Sequence, residues 1–273
     1  MNNKIIDITK LVVLFIILIL LTFVFVDIIK GGSGIMSYEK SSPILNEEYA
    51  GVKKLECNMS SSELRVSEYD GEKVIVKAYS SGFPVTPAPS VSMTDGILKI
   101  QQINIISFGL FKRNTVEILV PRGSEFDYDL HTISGSLKLD AKSVNAALSS
   151  TSGSVKVYQG GKTLDLKCTS GSVKVYEPFV NARINCISGS IKSVCGEISE
   201  NMDITCTSGS VRVKLYPADI GYVFNGDATS GSVKDEYRDS RFGNSGTSSQ
   251  GDQKLSINVR TTSGSIKLAD WND

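Results

Sequence analysis

The amino-acid sequence predicts an all-β chain: a single-stranded β-helix, or solenoid, with coils of about 18 residues, preceded by one N-terminal transmembrane helix. Three observations predict it. From residue 131 onward one phrase keeps returning, Ser-Gly-Ser followed by an apolar and then a basic residue. Apolar and polar residues alternate on both sides of each of those glycines. Near the N-terminus, the stretch from Leu11 to Val26 carries no charge and has Thr22 as its one polar side chain.

Extended through Asp27, Ile28 and Ile29, that stretch reaches the ~20 residues a helix needs to cross ~30 Å of hydrocarbon. A cleaved signal peptide is the competing reading. The apolar run is longer than a usual signal core, and no small-x-small cleavage site follows Val26, which favours an uncleaved anchor. Lys4, Lys10 and the α-amine precede the span, against Lys30 and Lys40 after it, a bias that keeps the N-terminus inside. The expected organisation is a cytoplasmic head over residues 1–10, a transmembrane helix over 11–29, a juxtamembrane linker over 30–49 and a β-helical domain over 50–273. The protein is then a single-pass protein of the cell membrane with its C-terminal domain extracellular.

Composition narrows the function classes. The 29 basic and 29 acidic residues cancel, so no global charge points to nucleic acid, and any electrostatic role depends on where charges sit. The single His makes His-rich metal sites and Ser-His-Asp triads unexpected.

The repeat defines the β domain. Its glycines are Gly135, Gly153, Gly171, Gly189, Gly209, Gly231 and Gly264, spaced by 18, 18, 18, 20, 22 and 33 residues. A recurring unit of this length means a solenoid or an array. Two residues after the glycine stand Leu137, Val155, Val173, Ile191, Val211, Val233 and Ile266; five before it stand Leu130, Leu148, Leu166, Ile184, Ile204 and Val259. Period-two alternation on both sides makes each unit two short strands joined at a Ser-Gly-Ser corner, where glycine supplies backbone freedom. One such unit cannot bury its apolar side. Coils stacked in parallel ~4.8 Å apart turn the inward positions into a continuous core. The rule for parallel crossovers favours a right-handed helix. A left-handed hexapeptide helix also has 18-residue coils, but it needs a signal every six residues and here the strong signal comes once per coil.

Upstream the phrase persists in weaker form. SSELRV fits with Ser62 in place of glycine, and TDGILKI fits around Gly96. Pro84, Pro87 and Pro89 argue for a loop, NTVEILVP (114–121) reads as a strand, and the stretch from Arg238 to Gln253 reads as a polar loop before the last coil.

The T-S-G-S-[VI]-K-V phrase, the preceding L-D-L-K strand and the lead-in V-E-I-L-V-P resemble the bacterial putative-adhesin β-strand-repeat family, a domain of unknown function related to auto-transporter adhesin heads. The resemblance covers roughly residues 50–269. It implies an adhesin-like β-helical domain of the bacterial cell envelope, in a family some of whose members are linked with envelope stress. Family members usually carry an acidic residue after the glycine. All seven units here carry Ser, which makes this surface less acidic than the family norm.

Three residues past each glycine stands a cation: Lys138, Lys156, Lys174, Lys192, Arg212, Lys234 and Lys267, with Arg65 and Lys99 at the matching upstream positions. Its neighbours point inward, so this position points out. Stacked coils align these cations ~4.8 Å apart, where two unit charges in water repel by about 1 kcal/mol. The ladder is therefore tolerable without a ligand, as a solvated face that guards against sheet pairing. It is also the candidate binding site, a stripe for an anionic cell-wall polymer, lipid headgroups or an envelope protein. Tyr158 and Tyr176, two residues further on, also face outward. Nucleic acid is not an expected partner.

Other constellations read as structural. Cys168, Cys186 and Cys206 sit three residues before their glycines at an inward position for small side chains, with Cys57 and Cys195 elsewhere. Side chains spaced along one line cannot form a tetrahedral metal site, so they are expected as buried space-fillers. Asp129, Asp165 and Asp203 share an outward position, with Arg183 between the last two, and read as an ion ladder. His131 reads as solvated and alone, and the corner serines have no general base. The sequence thus predicts no catalytic residue, metal site or cofactor. It predicts a membrane-anchored extracytoplasmic binding or scaffold module, with a self-assembling structural protein and a polysaccharide-acting enzyme as alternatives. Trp271 is the expected cover for the C-terminal end of the core.

Overall fold

The computed structural model describes residues 42–83, 87–102, 110–217, 220–252 and 254–270, together with Phe15. The expected head, most of the expected transmembrane helix and Trp271 lie outside the described residues. No helix among the described residues is long and apolar enough to cross a membrane.

Among the described residues, twenty-one strands form the domain. The irregular N-terminal part contains β1 (Leu45–Tyr49), β2 (Lys54–Met59), β3 (Glu63–Tyr69), β4 (Val74–Phe83), β5 (Ser90–Thr94), β6 (Ile97–Gln101) and β7 (Leu110–Pro121). Five regular coils follow as strand pairs: β8 and β9 (Phe126–Ser134, Leu137–Asp140), β10 and β11 (Ser143–Ser152, Val155–Val157), β12 and β13 (Gly161–Ser170, Val173–Val175), β14 and β15 (Phe179–Ser188, Ile191–Gly196), and β16 and β17 (Asn201–Ser208, Val211–Tyr216). The last elements are β18 (Tyr222–Asp235), β19 (Ser240–Phe242), β20 (Ser245–Gln250) and β21 (Leu255–Asp270).

The strands stack into two parallel ladders. The first runs β6, β2, β8, β10, β12, β14, β16, β21, β18. The second runs β7, β3, β9, β11, β13, β15, β17, β21, β18. Pairing is in register, so like residues meet: Leu148, Leu166, Ile184 and Ile204 stack on the first ladder, and Val155, Val173, Ile191 and Val211 on the second. All eight are buried in one core that runs through the stack, as the alternation predicts.

The corner glycines are needed for two reasons. Gly153, Gly171, Gly189, Gly209, Gly231 and Gly264 have φ between +137° and +156°, a region that side-chain-bearing residues rarely enter. Each also lies against the glycine of the adjacent coil. A Cβ on Gly171 would sit 1.9 Å from the carbonyl oxygen of Gly153.

Chain order and stacking order differ. β21, the last coil in sequence, inserts between β17 and β18, so Gly264 lies between Gly209 and Gly231. The stretch from Arg238 to Gln253, expected as a polar loop, forms β19 and β20, which pair antiparallel to β18 and close that end. At the other end, β4 pairs antiparallel with β7, β1 with β4, and β5 with β6. Leu45–Tyr49, placed by sequence at the end of the linker, is therefore part of the cap. Gly96 is not a corner. Asp95 and Gly96 both have positive φ (52° and 79°) and make the tight turn of the β5–β6 hairpin, for which Asp-Gly is a strong sequence signal.

One buried carboxylate fastens the closing end. Asp235, fully buried on β18, accepts hydrogen bonds from the Tyr222 hydroxyl (2.7 Å), the Tyr237 backbone N–H (3.0 Å) and the Ser248 hydroxyl of β20.

Candidate functional site

On the second ladder the residue one past each corner glycine is a serine, and the next outward position, three past it, carries the cation. Register places Arg65, Lys138, Lys156, Lys174, Lys192, Arg212, Lys267 and Lys234 in one row, in that order. Eight of the nine predicted site residues are thus brought together. Lys99 is the exception. It lies on the first ladder beside Glu56, with which it pairs at 3.3 Å, because the Asp95-Gly96 hairpin rather than a corner precedes it. Its expected place beside Arg65 is taken by Glu117, with Lys77 beyond, and at the other end Lys234 stands opposite Arg241 of β19.

The ends of the row are neutralised. Glu63 takes a bidentate pair from Arg65 (3.0 Å each) and a hydrogen bond from Lys138 at 2.7 Å. Burial raises the Glu63 carboxyl, but the hydrogen bonds from Arg65 and Lys138 outweigh it and hold the group below the ordinary carboxylate value. At the far end, Glu236 pairs with Lys234 (2.9 Å) and Lys267 (2.7 Å). Between them, Lys156, Lys174, Lys192 and Arg212 make no ion pair among the described residues. The sequence shows the row but not this partition. Glu63 occupies a position that is Ser in every regular coil, and that exception was the available signal.

Ser136 and Ser154, next to the row, are 3.2 Å apart through their hydroxyls, and the rings of Tyr158 and Tyr176 stack with centroids 4.9 Å apart and planes 3° off parallel. Coil by coil, the face therefore offers a hydroxyl and an ammonium or guanidinium, with an aromatic ring added on two coils.

The other constellations are resolved by packing. Cys168, Cys186 and Cys206 pair in register and are buried. Burial pushes the Cys206 thiol up to about 11, and the hydrogen bond with Cys168, followed by burial, raises Cys186. The hydrogen bond with Cys186 lowers Cys168, whereas Cys186 and Cys206, held protonated in the core, are poor nucleophiles and poor metal ligands. Among the described residues, no group of three or more His, Cys, Asp or Glu could hold a metal ion. Asp165, Arg183 and Asp203 are in register as expected, yet no ion pair joins them: Asp165 pairs with Lys167 (3.9 Å) and Asp203 accepts from Asn258 (3.0 Å). His131 is not alone. Its Nε2 lies 2.6 Å from Asp129 Oδ1, and its Nδ1 meets the Ser149 hydroxyl. This Asp-His-Ser chain lies on an exposed strand face.

An all-β solenoid of in-register coils with corner glycines defines a class of β-strand-repeat proteins. Residues 145–269 match the family model described as Toastrack DUF4097. Among solved structures, it is similar to a putative cell adhesion protein from Clostridium sporogenes (20% identity, 84% of this chain and 100% of that one, TM-score 0.42). It is also similar to a putative lipid binding protein from Parabacteroides distasonis (13%, 84% and 98%, TM-score 0.38) and a putative adhesin from Parabacteroides merdae (10%, 82% and 95%, TM-score 0.37). These likenesses bear on neither ligand nor activity. No curated protein matches the chain.

Proposed function

We propose that the protein is a non-catalytic binding module of the bacterial cell envelope, anchored by residues 11–29 with its solenoid outside the membrane, and that its stripe of cations holds an extended anionic cell-wall polymer. The observation that carries this reading is the run of four cations, Lys156, Lys174, Lys192 and Arg212, in register and without carboxylate partners among the described residues. Neighbours in the row repel by about 1 kcal/mol each in water, a cost that a polyanion removes while gaining from every coil it spans. Glu63 and Glu236 neutralise the flanking cations, so packing alone does not require bare charge at the centre. The antiparallel strands at both ends argue against end-to-end self-assembly, because the parallel ladders do not end in open parallel edges.

Retention of the full-length protein in detergent micelles on immobilised teichoic-acid-like polymer, and separately on anionic liposomes, tests the reading at low and moderate salt. Salt-sensitive retention on the polymer is expected. Retention on liposomes alone would move the partner to lipid headgroups, and retention on neither would reduce the row to a solvated face. Orientation is checked by shaving intact cells with protease, which should remove the solenoid.

A further inference from the structure

The repeat is 18 residues long through three coils and then lengthens to 20 and 22, and the longer coils build a cleft. Gly196, Glu197 and Ile198 close the coil of Gly189, Tyr216 and Pro217 close that of Gly209, and Pro178 closes the coil before them. Together they line a cleft of about 470 Å³, within the ~300–1,000 Å³ of small-ligand sites. Its floor is fixed: Ser199 accepts from the Gly196 N–H (3.1 Å) and donates to the Phe179 carbonyl (2.8 Å). Two large side chains of its wall are exposed, Ile198 at 52% and Tyr216 at 59%.

The position of the cleft gives it meaning. The three coils that line it are those carrying Lys174, Lys192 and Arg212, three of the four cations of the row that make no ion pair among the described residues. Lys192 to Gly196, and Arg212 to Tyr216, is four residues along one strand, or ~13 Å. Tyr176 stands between Lys174 and Pro178. From the corner outward, this face therefore passes from hydroxyls to cations and then to an apolar, partly aromatic cleft with one carboxylate.

We infer that the cleft takes the C–H face of a sugar ring of the bound polymer, so that the ligand is an anionic glycan rather than a polyphosphate or a lipid. The inference rests on the stripe reading and extends it. Apolar and aromatic surface suits the C–H faces of a sugar, and the Glu197 carboxylate accepts its hydroxyls. The same carboxylate repels the ring's own anionic group, which turns out of the cleft toward the cations. An acyl chain in the cleft would strip water from Glu197 without giving it a hydrogen bond.

The test uses the full-length chain in detergent micelles and three probes: polygalacturonate, polyphosphate of matched charge, and neutral cellohexaose. Polygalacturonate should bind more tightly than polyphosphate. Tyr216→Ala should weaken polygalacturonate about tenfold, the scale of one lost aromatic contact, and leave polyphosphate unchanged. Equal binding of the two polyanions, or indifference of polygalacturonate to Tyr216→Ala and Ile198→Ala, overturns the sugar site while leaving the stripe intact. If neither polyanion binds, the stripe reading fails. The cleft is then read by cellohexaose alone, which should bind wild type weakly and insensitively to salt. Cellohexaose binding equally well to wild type and Tyr216→Ala, or to neither, would overturn the sugar site on its own terms.

Discussion

Arg212 stands beside Lys267 in the stack, although Lys234 is the next cation of the repeat along the chain. The final coil has entered between its two predecessors. Their hydrogen-bonding edges therefore face β21 rather than each other, and β18 becomes the end coil that the β19–β20 hairpin can close. A short bis-thiosulfonate linker should join Arg212→Cys to Lys267→Cys in the folded protein and fail to join Arg212→Cys to Lys234→Cys. The reverse yield would restore the order of the sequence.

The corner should tolerate no side chain. Gly171→Ala meets both a φ of +147° and a carbonyl 1.9 Å from the new Cβ, so the coil must open to accept it. A loss of at least ~3 kcal/mol is expected in urea unfolding. Gly51→Ala, with φ +71° and nothing within 4 Å, should lose ~1 kcal/mol from backbone strain alone. Similar midpoints for the two variants would mean that the corners are not closely stacked.

Asp235 is the fastening of the end cap, and its loss should be felt locally. Asp235→Ala leaves the Tyr222 and Ser248 hydroxyls without their acceptor inside the fold, at a cost of about 2–3 kcal/mol. Hydrogen exchange should then quicken over residues 240–250 while β12 and β14 keep their protection. Uniform quickening across both regions would mean that the cap does not open on its own.

Much of this was legible in the sequence, because the side-chain period is what the stack reads. Inward rows such as Val155, Val173 and Ile191, and outward rows such as Lys156, Lys174 and Lys192, follow from alternation about the glycine. The order of the last coils was not legible: in-register stacking rewards the same residue types whichever coil lies next, so Ile266 fits beside Val211 as well as Val233 does. The displacement of Lys99 was available in principle, since Asp95-Gly96 between alternating runs is a hairpin signal that the likeness of ILKI to the repeat phrase overrode. The partition of the stripe depends on how far Glu63 and Glu236 reach, which spacing alone does not carry.

Acid should release the first of those two carboxylates. The Glu63 pKa is lowered in the fold from its ordinary value of 4.5, so its contribution is fully present above that value and is lost as pH falls through the lowered one. Glu63→Gln should cost about 1 kcal/mol at neutral pH, the scale of a partly exposed ion-pair cluster. The gap between wild type and variant should begin to narrow below 4.5 and close as pH falls through the lowered value. A gap that stays constant from neutral pH down to pH 3 would show that Arg65 and Lys138 do not stabilise the charged form.

The central claim is that the middle of the stripe is available to an anionic polymer and its ends are not. The slope of log affinity against log salt for polygalacturonate reads this directly, because each cation that meets a flexible polyanion adds about 0.7 to its steepness. Lys156→Gln, Lys174→Gln, Lys192→Gln and Arg212→Gln, made singly, should each flatten the slope by that amount. Lys267→Gln, whose cation is held by Glu236, should leave it unchanged. Equal flattening by all five, or by none, would contradict the account.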